Sequence, residues 1–193
     1  HDLEMTASSV GKLQTIDETA QRDKKRARVH LKIDTGMGRI GVKPESAKKL
    51  FEVARSLPEL SIDGVFTHFA EADSSDLNFT KEQLASFLTC RKIFYDIFGA
   101  SHPALFHAAN SAAVLRLPES HLDLIRPGIS LYGVVPEHVF PLVESSLKAA
   151  LSLHSKVGYF KVVEAGHSVS YGRTWFAKEN SRVLTVPIGY GDG

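Results

Sequence analysis

Four places along the chain end an apolar run on side chains that can do chemistry. The run at 29–34 delivers Lys32 and Asp34 and opens into a glycine-rich loop holding Thr35, Gly36, Gly38, Arg39 and Gly41. The run at 62–70 carries Thr67 and His68, with Glu71 directly after it. The run at 104–107 ends on His107, followed by Asn110 and Ser111, and the run at 122–125 leads into Arg126, Pro127 and Gly128. Such groups move protons and bind anions. Each also has a plain structural explanation: Lys32 paired with a buried acid, His68 or His107 a hydrogen-bonded core histidine, Arg126 half of an ion pair. Four in succession favour a shared site, because a parallel sheet gathers the C-terminal ends of its strands along one edge.

Two phosphate patterns compete. Gly36, Gly38 and Gly41 fit G-x-G-x-x-G after a strand, the dinucleotide fingerprint. That fingerprint needs a helix that opens within the motif, so that its N-terminus meets the pyrophosphate. Here Pro44 holds the helix back until after Gly41, and Arg39 offers a side chain rather than a backbone cradle. A nicotinamide oxidoreductase is therefore set aside. Asn110 and Ser111 stand at the head of a short helix, where free N–H groups, the helix dipole and a hydroxyl suit a dianion. Gly128 and Ile129 follow the next strand, where a missing side chain exposes backbone N–H groups. Ordinary helix capping by Asn110 or Ser111 is the alternative.

The elements that must hold these groups alternate. A polar, helix-compatible stretch covers 9–23, and the run at 29–34 has the pattern of a buried strand. From Pro44 a helix places Ala47, Leu50, Phe51, Ala54 and Leu57 at i, i+3, i+4 spacing. A strand at 62–70 follows, then a helix opened by a Thr80–Gln83 capping box and stopped at Gly99. Strands at 104–107 and 122–125 flank a short helix from Asn110. This grammar predicts a parallel α/β sheet. It amounts to about four βα units where a closed (β/α)8 barrel needs roughly 250 residues, so the choices are a small open sheet or half a barrel. After Tyr132 the pattern changes: 150–164 reads as one long β-rich segment, Gly166 as a turn, and 168–171 and 182–188 as strands. These predict an antiparallel second domain, with the boundary in 136–144.

Composition bounds the rest. The chain has 193 residues, with 23 Lys plus Arg against 22 Asp plus Glu, 43% hydrophobic and 23% charged. That is a globular composition, with a near-zero balance that argues against a nucleic-acid surface. No apolar run is long enough to span a bilayer. The single cysteine, Cys90, excludes an internal disulfide, and the opening His-Asp-Leu shows no signal-peptide pattern. A cytoplasmic enzyme is expected.

Six motifs in order carry a resemblance: 30–41 (HLKIDTGMGRIG), 67–70 (THFA), 107–111 (HAANS), 126–133 (RPGISLYG), 170–172 (SYG) and 189–193 (GYGDG). Together, over essentially the whole chain, they closely resemble the bacterial alanine racemase family, pyridoxal 5′-phosphate (PLP) enzymes that build a barrel and then a β domain. The resemblance implies the second half of a (β/α)8 TIM-type barrel over 1–140, followed by the start of a mainly-β domain over 141–193. It implies interconversion of L- and D-alanine by two-base proton transfer, supplying D-alanine for peptidoglycan, in a homodimer with shared active sites and no metal.

Residue by residue, the resemblance assigns Ser111, Gly128 and Ile129 to the cofactor phosphate, beside Asn110, and Arg126 to the pyridine nitrogen. His68 and His107 match histidines of the network around that arginine. Arg39 matches a residue that contacts the cofactor's phenolic oxygen and the substrate carboxylate. Lys32 matches a lysine that the family carbamylates. Tyr171 matches a catalytic tyrosine reaching across the dimer, and a phenol of ordinary pKa near 10 would need cationic neighbours such as the Arg126–His68 network. Tyr190 matches a tyrosine near the way in for substrate. No residue here matches the family's Schiff-base lysine, so an internal piece that is inactive by itself is expected. The alternatives are a serine or broad-specificity racemase, and a non-catalytic PLP-binding module.

Overall fold

The computed structural model describes residues 3–136, 139, 141 and 147–192. They divide into two compact units, His1–Ala150 and Leu151–Gly193. The boundary expected at 140/141 falls on Phe140, outside the described residues.

In the first unit β1 (Met5–Ala7), β2 (Ala27–Lys32), β3 (Leu60–Phe66) and β4 (Leu105–His107) pair in sequence order, all parallel. Parallel neighbours require crossovers, which α1 (Val10–Arg22), α2 (Ala47–Ser56) and α3 (Asn78–Phe98) supply. Ser9 caps α1 by accepting from the Lys12 N–H. Pro44 opens a single 3-10 turn ahead of α2, whose stripe of Ala47, Leu50, Phe51 and Ala54 is wholly buried. The core is aromatic. Phe94 of α3 meets Phe51 of α2 and Phe106 of β4 edge-on, each at 5.3 Å between ring centroids. Burying one such ring contributes about 1.5–3 kcal/mol, which fixes the helices onto one face of the sheet.

Three details differ from the sequence expectation. Helix α3 begins at Asn78 with no side-chain cap, so Thr80 and Gln83 lie inside it and are buried. Gln83 instead braces loops, accepting from Ala70 N (3.0 Å) and donating to Thr35 Oγ1 (3.3 Å) and His68 O (3.4 Å). The stretch at 122–125 is no strand, because Leu122 takes φ +50° in a turn. One backbone bond, Asp123 N–H to Phe106 O (3.0 Å), and one side-chain bond, Phe106 N–H to Asp123 Oδ2 (2.8 Å), hold it beside β4. Strand β1 was not expected: three residues, with Met5 exposed, carry too little pattern.

The second unit is antiparallel. Strand β5 (Tyr159–Val163) pairs with β8 (Ser181–Thr185), and β6 (Ser168–Val169) with β7 (Trp175–Phe176). Only β5 forms within the long segment expected at 150–164, and β7 is additional. Gly166 makes its turn at φ +82°. Among the described residues no helix is long and apolar enough to cross a membrane.

Candidate active site

Parallel pairing brings the ends of β2, β3 and β4 to one edge, and the polar groups meet there. Lys32 ends β2 only 2% exposed, with Nζ donating to Ile33 O (2.7 Å) and lying 5.4 Å from the Phe66 ring centroid. Burial lowers its pKa to about 8; Arg126 and Arg39 add to this and Asp34 opposes it. The loop after Lys32 closes on itself, Asp34 N–H donating to Val42 O (2.7 Å) and Val42 N–H to Lys32 O (3.1 Å). Burial would raise the Asp34 carboxyl, but the Gly38 and Gly36 N–H groups it accepts from, with Lys32, hold it below the usual carboxylate range. Arg39 stands exposed on this loop.

Arg126 is the hub. Nη1 donates to His107 Nδ1 (2.6 Å), and Nη2 donates to Thr67 O (2.7 Å) and Ala108 O (3.1 Å), with His68 Nδ1 at 3.4 Å. The guanidinium lies over the Phe66 ring, on which His107 also stacks. Burial brings Arg126 down to about 10, so it stays cationic at neutral pH. Burial, then Arg126 and His30, push His107 down to about 3. Burial, then the charges of Arg126, Arg39 and Lys32, lower His68 as well. The positive charge of the Arg126–His68 network therefore sits on the arginine, with His107 neutral and His68 shifted in the same direction.

Helix α4 (Ser111–Arg116) follows β4, capped by Asn110, whose side chain accepts from Ala113 N (3.1 Å) and donates to Phe69 O (3.4 Å). Capping thus occupies Asn110. Ser111 Oγ turns the other way and accepts from Gly128 N (2.7 Å) and Ser130 N (3.3 Å), in the turn that also holds Ile129. A cavity of about 360 Å³ is lined by His68, Asn110, Ser111, Arg126, Gly128 and Ile129, among others. That volume lies in the range of small-molecule sites. A hydroxyl whose own proton is free to donate, set against the backbone turn at 128–130, suits a phosphate ester, and a fixed guanidinium suits an aromatic nitrogen acceptor. These residues fit PLP. Lys32, His107 and Arg39 lie outside that lining, close by.

Tyr171 and Tyr190 belong to the second unit. Tyr171 is 98% exposed there, in a 3-10 turn between Ser170 (φ +69°) and Arg173 (φ +52°). Positive φ at two non-glycine residues is strained backbone, a feature that clusters at functional sites. Tyr190 is exposed in a second such turn. Sequence reasoning passed over His30, whose Nδ1 lies 2.7 Å from His107 Nε2, and Glu4, whose Oε2 lies 2.8 Å from His30 Nε2. The available signal was spacing: His30 stands two residues before Lys32, on the same face of β2.

Comparison with known proteins gives one answer. The family model described as alanine racemase, N-terminal domain, matches residues 1–136, and that described as alanine racemase, C-terminal domain, matches 150–193. The alanine racemase of Carboxydothermus hydrogenoformans is 46% identical over 91% of this chain and 47% of its own length. That of Chlorobaculum tepidum is 38% identical over 100% of the chain and 49% of its own length. Among solved structures, the alanine racemase from Streptomyces lavendulae matches with a TM-score of 0.86 at 34% identity, covering 100% of this chain and 51% of that one. The biosynthetic alanine racemase of Pseudomonas aeruginosa gives 0.85 at 34% identity, covering 99% of this chain and 51% of that one. The chain spans about half the length of the curated relatives it matches.

Proposed function

The chain belongs to the alanine racemase family, and on that premise we propose that it serves a PLP-dependent enzyme that interconverts L- and D-alanine. Its fold is the second half of a (β/α)8 TIM-type barrel followed by the start of a mainly-β domain. The observation that supports this function best is one cavity lined by the Arg126 guanidinium and by Ser111, whose hydroxyl is bonded to the turn at Gly128 and Ser130.

In this proposal Ser111, Gly128 and Ile129 would hold the cofactor phosphate, Asn110 caps the helix that begins at Ser111, and Arg126 would donate to the pyridine nitrogen. The bound cofactor supplies an electron sink that acidifies the Cα–H of an amino acid. A guanidinium does not give up its proton, so Arg126 keeps the nitrogen unprotonated and the sink weak, which limits side reactions such as transamination. His107, being neutral, accepts from Arg126 and holds it in place, with His68 beside it. Arg39 binds the substrate carboxylate and Tyr190 lines the approach. Tyr171 takes and returns the proton on one face of Cα, from the partner subunit of a homodimer. The family's cofactor-anchoring lysine acts on the other face and is matched by no residue of this chain. Lys32, with its lowered pKa, presents the free amine that adds CO2 to give a carbamate and a proton, and the resulting anion holds Arg39. The enzyme works in the cytoplasm and supplies D-alanine for peptidoglycan.

The test is conversion of L- to D-alanine by the full-length protein with PLP, followed by a D-specific oxidase. Racemisation is expected from the full-length protein and none from the 193-residue chain alone. Faster conversion of serine would favour a broad-specificity enzyme. PLP binding with no racemisation of any amino acid would leave a binding module.

A further inference from the structure

Behind Arg126 a line of polar side chains runs away from the cavity toward the start of the sheet. His107 Nδ1 accepts from Arg126 Nη1 at 2.6 Å, His107 Nε2 lies 2.7 Å from His30 Nδ1, and His30 Nε2 lies 2.8 Å from Glu4 Oε2. The proton positions along this line follow from its cationic end. A guanidinium only donates, so His107 Nδ1 is an acceptor and the one ring proton of neutral His107 sits on Nε2. His30 Nδ1 must then accept it. The His30 proton is left on Nε2, a buried nitrogen that makes no hydrogen bond, with the Glu4 carboxylate beside it at 2.8 Å as a neighbouring charge. Donor meets acceptor in one order from Arg126 through His107 to His30 Nδ1, where the hydrogen-bonded line ends.

The backbone is shaped around His30. Strand β2 shifts register against β3 between Val29 and His30, so that His30 faces Gly64. A Cβ on Gly64 would come within 2.3 Å of His30 Nδ1 and 2.4 Å of its Cε1. The ring occupies the space that a side chain at 64 would fill. Arg28, on the same face, pairs with Glu4 and with Asp63, so the carboxylate facing His30 is itself held.

We propose that His30 is a positioning residue for Arg126: it fixes the His107 tautomer and so holds the guanidinium where it meets the ring nitrogen. The tautomer stands on this geometry alone. The catalytic consequence rests on the function proposed above, so the experiment reads the two separately.

The first readout is the histidine tautomers, from long-range 1H–15N correlations of the cofactor-free full-length protein. His107 and His30 are each expected as a single species with the proton on Nε2 near neutral pH. A proton on His107 Nδ1, or a doubly protonated His30, would overturn the proposal whatever the protein catalyses. The second readout uses substitutions at His30. His30→Asn keeps a polar atom where Nδ1 was, whereas His30→Leu keeps bulk and removes the acceptor. In the loaded enzyme His30→Leu should lower kcat about tenfold, the loss of one hydrogen bond's worth of positioning, with KM within about twofold. His30→Asn, whose side-chain oxygen still accepts from His107, should recover kcat to within about threefold. Equal kcat in the wild type and His30→Leu would overturn the positioning role. So would failure of His30→Asn to recover activity while folded with the His107 tautomer intact. If His30→Leu does not fold, the tautomers and His30→Asn still decide.

Discussion

Lys32 shows how far a strand end can change a side chain. At an ordinary lysine pKa almost no free amine exists at pH 7, whereas a pKa of about 8 leaves roughly a tenth of it neutral. With 13C-bicarbonate, the full-length protein should show a carbamate carbon signal that is absent in Lys32→Ala and weakens as pH falls and the amine is protonated. No signal at any pH would remove the modification. Tyr171→Phe keeps the ring and deletes the hydroxyl, so it should nearly abolish racemisation in the full-length enzyme. Solvent deuterium exchange at Cα should survive for the one enantiomer served by the opposite base. Equal loss for both enantiomers would point to damaged cofactor binding instead. Lys32 and His107 were legible in the sequence because each closes a strand, where such folds keep their chemistry. His68 and Arg126 were picked out from apolar runs although β3 stops at Phe66 and 122–125 is no strand. His30 and Glu4 were not, since a histidine inside a strand looks like core until its partner across the sheet is known.

Among the elements, the loop from Lys32 to Val42 is set by its glycines. Gly41 has φ +114°, and a Cβ there would come within 2.8 Å of Lys32 Cγ and 2.9 Å of Lys32 O. Gly41→Ala should destabilise the protein by about 1–3 kcal/mol in urea unfolding and disturb Lys32. Gly38→Ala, at φ +71° with open space around its Cβ, should cost only about 1 kcal/mol. Equal losses would mean that contact with Lys32 contributes nothing. Helix α2 could be read in advance because its apolar positions repeat at the helical period and the buried stripe matches them. The capping box at Thr80 and Gln83 misled because a short polar pattern says nothing of what packs against it; tertiary contacts put Gln83 to use bracing Thr35, His68 and Ala70. The supposed strand at 122–125 failed for a similar reason, since Leu122 turns where its apolar neighbours suggested an extended run.

At the level of the whole molecule, the buried His107 ties stability to pH. His107 titrates near 6.5 when unfolded and about 3 when folded, so between those values the unfolded chain binds more protons. Stability should therefore fall as pH drops through that window. His107→Gln should show a shallower decline in urea unfolding, and an unchanged slope would contradict the assigned pKa. The parallel first unit and antiparallel second unit followed from strand spacing and from where helical patterns stop, whereas the exact strand limits in the second unit did not, because exposed short strands lack a buried face to set a period. The central claim is that Arg126 holds the cofactor nitrogen unprotonated, and the most direct measurement is the 15N resonance of ring-labelled PLP in the full-length protein. An unprotonated nitrogen is expected in the wild type, and a protonated one in Arg126→Glu, where the opposite charge raises the ring's pKa. A protonated nitrogen in the wild type, or no change on substitution, would contradict it.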